Sequence, residues 1–207
     1  MADQTSDWDA RFRAADTPWE EDVPSEAMIS LLNRYVRPGS KVLDVGCGLG
    51  TNAIWMAAQG YEVEAVDISE TAIAQATARA TRAGVATKFR AMDFLQPAAW
   101  SSPFQCVIDR GCLHSIRMPA TRNAFAKRVS ESLSNGGLWI NISGSTDNPD
   151  SPEDRERFGY PRLSIADIAA ATERLFEIIE IRKCDYGTTS DTRFLAFASL
   201  LKKRPVR

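Results

Sequence analysis

The run Asp44-Val45-Gly46-Cys47-Gly48-Leu49-Gly50-Thr51-Asn52 carries the sharpest chemical signal in this sequence. It follows an apolar run at 41–45 and precedes an Ala-containing stretch at 52–59, the order of a strand, a glycine turn and a helix. Such a unit lets backbone approach a ligand closely and aims the N–H groups of a helix N-terminus at it. A dinucleotide fingerprint, G-x-G-x-x-G, needs glycine where Thr51 stands. The spacing here is G-x-G-x-G, with Cys47 inside the turn and Asp44 two residues ahead of it. An acid at the mouth of the turn suits a ligand with a cationic end, an amino group or a sulfonium, better than a pyrophosphate.

Two further acids fall at the ends of apolar runs. Asp67 closes the run at 62–68, where a carboxylate can accept both hydroxyls of a ribose or cap the following helix. Asp93, followed by Phe94, closes the run at 87–92. An acid there can accept from an exocyclic amine, with a flat apolar side chain beside a purine, or it is a polar loop residue. The run at 104–109 ends in Asp109-Arg110-Gly111-Cys112-Leu113-His114. His114, the single imidazole of the chain, is a candidate acid/base or substrate contact, against a structural histidine bonded to backbone. Arg110 is a candidate holder of an anionic substrate or thiolate, against a salt-bridged arginine. Cys112 reads as packing, since no covalent step needs it. Phe158 and Tyr160 are candidates for an aromatic wall.

The elements that must position these residues alternate. Short apolar runs at 41–45, 62–68, 87–92, 104–109 and 138–143 are separated by helix-like stretches at 52–59, 70–83 and 119–133, after a first helix at 25–36. This order predicts parallel strands joined by crossover helices, with both faces of the sheet covered. Runs at 176–184 and 192–201 have no room for a helix between them and should pair as an antiparallel hairpin at the sheet edge. The expected fold is therefore α/β: a Rossmann-like three-layer α/β/α sandwich around a seven-stranded, mostly parallel sheet whose last strand is antiparallel. Residues 1–207 read as a single domain, with an arm at 1–24. The insertion at 144–163 carries Asp147, Asp150, Glu153, Asp154 and Glu156 against Arg155, Arg157 and Arg162, and reads as a substrate cap.

With the glycine turn, the acid ending the second strand, Asp93-Phe94 and the reversed last strand, the chain resembles the class I S-adenosylmethionine-dependent methyltransferases over residues 25–203. Trp8-Asp9-Ala10-Arg11-Phe12, Thr17-Pro18-Trp19-Glu20 and the 109–114 run are similar to the thiopurine and tellurite-resistance branch, small-molecule enzymes acting largely on sulfur, selenium, tellurium or heteroaromatic atoms. The resemblance implies that Gly46, Gly48 and Gly50, with Asp44 and Cys47, wrap the methionine portion of S-adenosyl-L-methionine. It implies further that Asp67 and the Ile68 backbone hold the ribose, and that Asp93 and the Phe94 backbone hold the adenine. Trp19 would close over the cofactor, and Asp109 and Arg110 would flank the reacting methyl. The insertion at 148–161 matches no motif of the family.

Composition bounds the partners. The chain has 207 residues, 44% hydrophobic, with 25 Lys and Arg against 27 Asp and Glu, a net charge of −2. No basic footprint for nucleic acid is present, and no apolar run is long enough to span a membrane. The four cysteines, far apart and in no CxxC spacing, suit a reduced, cytoplasmic chain without a metal clip. The expected protein is a monomer or weak dimer that methylates a small molecule, in detoxification. The alternatives are a non-catalytic S-adenosylmethionine-binding regulator, a methyltransferase for a macromolecule, or a nicotinamide oxidoreductase, the last disfavoured by Thr51.

Overall fold

The computed structural model describes residues 8–97, 99–148, 162–187 and 194–205. Seven strands form one sheet: β1 (Lys41–Val45), β2 (Glu62–Asp67), β3 (Lys88–Ala91), β4 (Phe104–Arg110), β5 (Leu133–Gly144), β6 (Phe176–Asp185) and β7 (Leu195–Lys203). Their order is β3-β2-β1-β4-β5-β7-β6. β1 to β5 pair in parallel, and β7 runs antiparallel to both β5 and β6. The expected mostly parallel sheet with a reversed last strand is the one observed. The hairpin partner β6, rather than the reversed strand, forms the edge.

The helices are α1 (Trp8–Arg13), α2 (Glu26–Tyr35), α3 (Thr51–Ala58), α4 (Glu70–Ala83), α5 (Cys112–Ser115), α6 (Pro119–Ser132) and α7 (Ile165–Thr172). α4 shows why these segments fold as they do. Ser69 caps it by accepting the Ala72 N–H at 3.0 Å, Gly84 ends it in the left-handed region, and Ala72, Ala76 and Ala80 bury one stripe. α7 was not among the expected elements, although Ser164 and Asp167 form a reciprocal capping box at its start.

Both sheet faces carry core. On one, Met28, Leu31, Leu32 and Met56 pack against Val42, Val63 and Ile108; on the other, Phe125, Val129 and Phe176 pack against Leu43, Val107 and Trp139. β1 is buried along its whole length, Lys41 and Asp44 included, as a central parallel strand is. Asn135-Gly136-Gly137 does not turn the chain into strand five, as its composition implies. These residues lie within β5, where its pairing with β4 shifts register between Phe104 and Cys106 and Gly136 takes φ +70°. A bulge accommodates the glycines without ending the strand.

Candidate active site

A cavity of about 290 Å³ opens at the carboxyl ends of the parallel strands, lined by residues at or just past the ends of β1, β2, β3 and β4 and by Trp8, Phe12, Trp19, Glu20 and Glu21 of the N-terminal arm. In an open α/β sheet this is where ligands bind. The glycine turn forms its floor. Gly46, Gly48 and Gly50 take φ of +68°, +52° and +77°, a region that favours glycine. A Cβ on Gly46 would strike the Cys112 sulfur, and one on Gly48 would strike the Glu20 carboxylate. Gly50 faces away from the cavity: a Cβ there would press 3.0 Å from Ala76 and Phe89, so its part is helix packing. No side chain caps α3 behind the turn.

Asp67 ties two segments together. Its Oδ2 accepts the Gly48 N–H and its Oδ1 the Ser69 N–H, each at 2.9 Å, and it lines the cavity beside the half-exposed Ile68. Burial pushes its carboxyl upward. Asp44 is 2% exposed and its Oδ2 has no hydrogen-bond partner among the described residues. Burial, with the charges of Asp109, Asp67 and Glu20 nearby, pushes it up to about 7. Asp93 lines the cavity, with Oδ1 accepting the Leu95 N–H at 2.9 Å. Phe94 is buried edge-on to Phe125, ring centres 5.3 Å apart. Cys47 and Trp19 line the cavity too.

The structure separates the three candidate residues at the end of β4 and just past it. Asp109 is fully buried and does not line the cavity. Its carboxylate accepts from Trp139 Nε1 at 2.8 Å, Asn141 Nδ2 at 3.0 Å and the Leu113 N–H at 3.1 Å. The expected place beside a reacting methyl is therefore corrected: Asp109 braces the start of α5 from inside the sheet, where these three donors satisfy its carboxylate. Burial lifts it to about 6. Arg110 lines the cavity but is engaged by protein. It donates to the Trp19 carbonyl at 3.1 Å and the Tyr186 carbonyl at 2.9 Å, lies 3.4 Å from Glu21, and stacks over the Tyr186 ring at 4.2 Å. It straps the arm to the end of β6. His114 also lines the cavity, and its Nδ1 accepts the Gly144 N–H at 2.7 Å. Burial and the arginines around it hold its pKa at about 3. The ring is neutral with its proton on Nε2, a hydrogen-bond donor rather than a base near neutral pH.

Sequence reasoning missed Glu20 and Glu21 as cavity residues and placed Cys112 in packing, although its sulfur lies 3.2 Å from the Val45 carbonyl at the cavity wall. It likewise missed Tyr186, which lines the cavity and is joined to the arm through Arg110. The Thr17–Glu20 motif was the available signal for Glu20. Phe158 and Tyr160 lie outside the described residues, as does most of the 144–163 insertion. Among the described residues no group of side chains could hold a metal ion, and no helix is long and apolar enough to cross a membrane.

The fold is a Rossmann-like α/β architecture with a glycine turn after its first strand. Residues 42–137 match the family model described as a methyltransferase domain. An uncharacterized methyltransferase of Schizosaccharomyces pombe is 40% identical over 75 residues, 36% of this chain and 52% of that protein, so the chain spans about half the length of the curated relative it matches. A solved structure titled for the conversion of a disulfide bond into a thioacetal group during echinomycin biosynthesis superposes with a TM-score of 0.84 at 24% identity, covering 95% of this chain and 91% of that one. The Burkholderia thailandensis 1,6-didemethyltoxoflavin N1-methyltransferase, solved with its substrate and S-adenosylhomocysteine, gives 0.78 at 20% identity, covering 97% and 87%.

Proposed function

We propose that this chain is an S-adenosyl-L-methionine-dependent methyltransferase that passes a methyl group to a small nucleophile, a thiol, a chalcogen or a heteroaromatic atom, by in-line displacement. The observation that carries it is the buried Asp44 carboxylate, whose Oδ2 has no hydrogen-bond partner among the described residues, at a glycine turn whose cavity also includes Glu20, Glu21, Asp67 and Asp93 in its lining. A buried carboxylate without a partner is costly, and a cationic ligand removes the cost. Asp44 with the Gly46–Gly48 backbone fits the methionine end, Asp67 and Ile68 the ribose, and Asp93 and Phe94 the adenine.

When bound, the cofactor supplies an electrophilic methyl on a positively charged sulfur. The chain's own residues orient and enclose. Trp19 is fixed edge-on to Trp8 and Phe12 and roofs the cavity, and Arg110 holds that roof down, which excludes water. His114 offers an N–H donor. The acceptors best served are those already nucleophilic near neutral pH, such as a thiol partly present as thiolate or a heteroaromatic nitrogen. The sulfur chemistry of the echinomycin protein and the heteroaromatic substrate of the toxoflavin enzyme support the same range.

The roofing arm supports a small acceptor over RNA or a folded protein, which would need an open rim. Four cysteines without disulfides fit the reducing cytoplasm in which such an enzyme would work. The test is S-adenosylhomocysteine release against thiols, tellurite, selenite and hydroxylated or N-heterocyclic aromatics, with RNA and protein as further arms. Turnover confined to small acceptors is expected; turnover only with RNA or protein, or with none of these, overturns the reading.

A further inference from the structure

We infer that Glu20, on the arm, is a specificity-determining residue: together with Asp44 it receives the ammonium of the cofactor's amino-acid tail, so that the site binds nucleosides carrying that tail more tightly than nucleosides without it. The inference rests on the methyltransferase reading above and goes beyond it to how the site discriminates among nucleosides.

The backbone pins Glu20 from both sides. Arg110 holds the Trp19 carbonyl, and the Thr51 hydroxyl donates to the Glu21 carbonyl at 2.8 Å. Two more anchors fix the arm: the Ser25 N–H donates to Asn52 Oδ1 at 3.1 Å, and Asp9 accepts from Ser69 Oγ at 2.6 Å and the Thr71 N–H at 2.9 Å. Held this way, the Glu20 carboxylate sits directly over Gly48, and its Oε2 reaches the Leu49 N–H at 3.4 Å.

Glu20 makes no ion pair among the described residues, although cations stand near. Arg110, from β4, is engaged by Trp19, Glu21 and Tyr186. Arg79, from α4, donates to the Leu49 carbonyl at 3.2 Å and lies 3.6 Å from Asp22. Facing Glu20 from β2 and β1 are Asp67 and Asp44, both acids. The cavity therefore closes carboxylate upon carboxylate, with one buried Asp44 oxygen wholly unpartnered. Like charges gathered in a dry site retain protons until a cation arrives. Glu20 and Asp44 are each pushed up to about 7, with burial the largest cause in both. An ammonium placed between them would displace those protons and join the arm to the glycine turn. A nucleoside without the tail would leave the acids as they were.

The experiment measures binding of S-adenosylhomocysteine and of 5′-methylthioadenosine, which lacks the amino-acid tail, from pH 6 to pH 8. It uses the full chain, Glu20→Gln and Asp44→Asn. For the unaltered chain, S-adenosylhomocysteine should bind more tightly as pH rises, by about tenfold for each carboxylate that must ionise, while 5′-methylthioadenosine changes little. Glu20→Gln should weaken S-adenosylhomocysteine by about tenfold at pH 8 and flatten its pH dependence by one proton, counted by calorimetry in two buffers. Its affinity for 5′-methylthioadenosine should stay within about twofold. Equal loss for both ligands would make Glu20 a mere support of the arm and overturn the inference, as would unchanged S-adenosylhomocysteine binding. Failure of the folded, unaltered chain to bind S-adenosylhomocysteine at any pH would instead overturn the methyltransferase reading, and this inference with it.

Discussion

The carboxylate of Asp67 accepts the backbone N–H of Gly48 at 2.9 Å, so the end of β2 holds the glycine turn that follows β1. One side chain thus shapes the floor of the cavity and stands at its wall. In Asp67→Asn one amide N–H group would face a backbone N–H, Gly48's or Ser69's, leaving a buried donor unsatisfied. We expect a loss of about 1–3 kcal/mol in stability, and weaker cofactor binding than that of an Ile68→Val control. Denaturant melts and calorimetric titration check the two outcomes.

Asp44 should show the stability its charge costs. Its folded pKa of about 7 lies above the ordinary carboxylate value of 3.8, so the folded state prefers the protonated form. The penalty is absent below about pH 3.8, grows through the interval and is complete above about 7. Asp44→Asn without ligand should therefore melt higher than the unaltered chain at pH 8, with the advantage gone near pH 4, while its affinity for the cofactor falls. Thermal melts across that range test the sign.

His114 runs the opposite way. Held at about 3 against an ordinary 6.5, it is neutral when folded while the unfolded chain takes up its proton. Its contribution to stability is lost as pH falls from about 6.5 toward 3. His114→Gln, whose amide oxygen can accept the Gly144 N–H, should remove that pH dependence. His114→Ala should depress turnover and spare cofactor affinity; unchanged turnover would remove His114 from the site. For a thiol acceptor, the pH–rate profile between 5 and 8 should show no ionisation that disappears with His114.

Arg110→Met should free the arm. It removes the bonds to the Trp19 and Tyr186 carbonyls and leaves Glu21 buried without its cation. Limited proteolysis should cut the arm ahead of α2 at least about tenfold faster than in the unaltered chain. Arg110→Lys should rescue only part of this protection, since one ammonium cannot reproduce the planar guanidinium's several bonds and its stacking on Tyr186.

Local signals in the sequence were enough for much of this. The apolar Cys106-Val107-Ile108 run of β4, the Ser69 cap with its alanine stripe, and the glycine turn each act over a few residues, and each was readable. What escaped depends on distance along the chain. Glu20 meets Gly48 only because the arm folds back, and β7 slips between β5 and β6 through pairings that span the insertion. Asp109 looks like a site residue beside Arg110 until Trp139 and Asn141, thirty or so residues on, turn it inward. Arg110 is a strap only once Trp19 and Tyr186 are brought to it. The Ser164–Asp167 capping box was a local signal too, and its helix was hidden by the irregular stretch before it.

The most direct test is calorimetric titration of S-adenosyl-L-methionine into the folded chain, repeated with Gly48→Val, whose side chain would occupy the floor of the turn. The account predicts saturable binding to one site, abolished by that substitution while circular dichroism stays unchanged. No heat and no shift in melting temperature with the intact folded chain would contradict it.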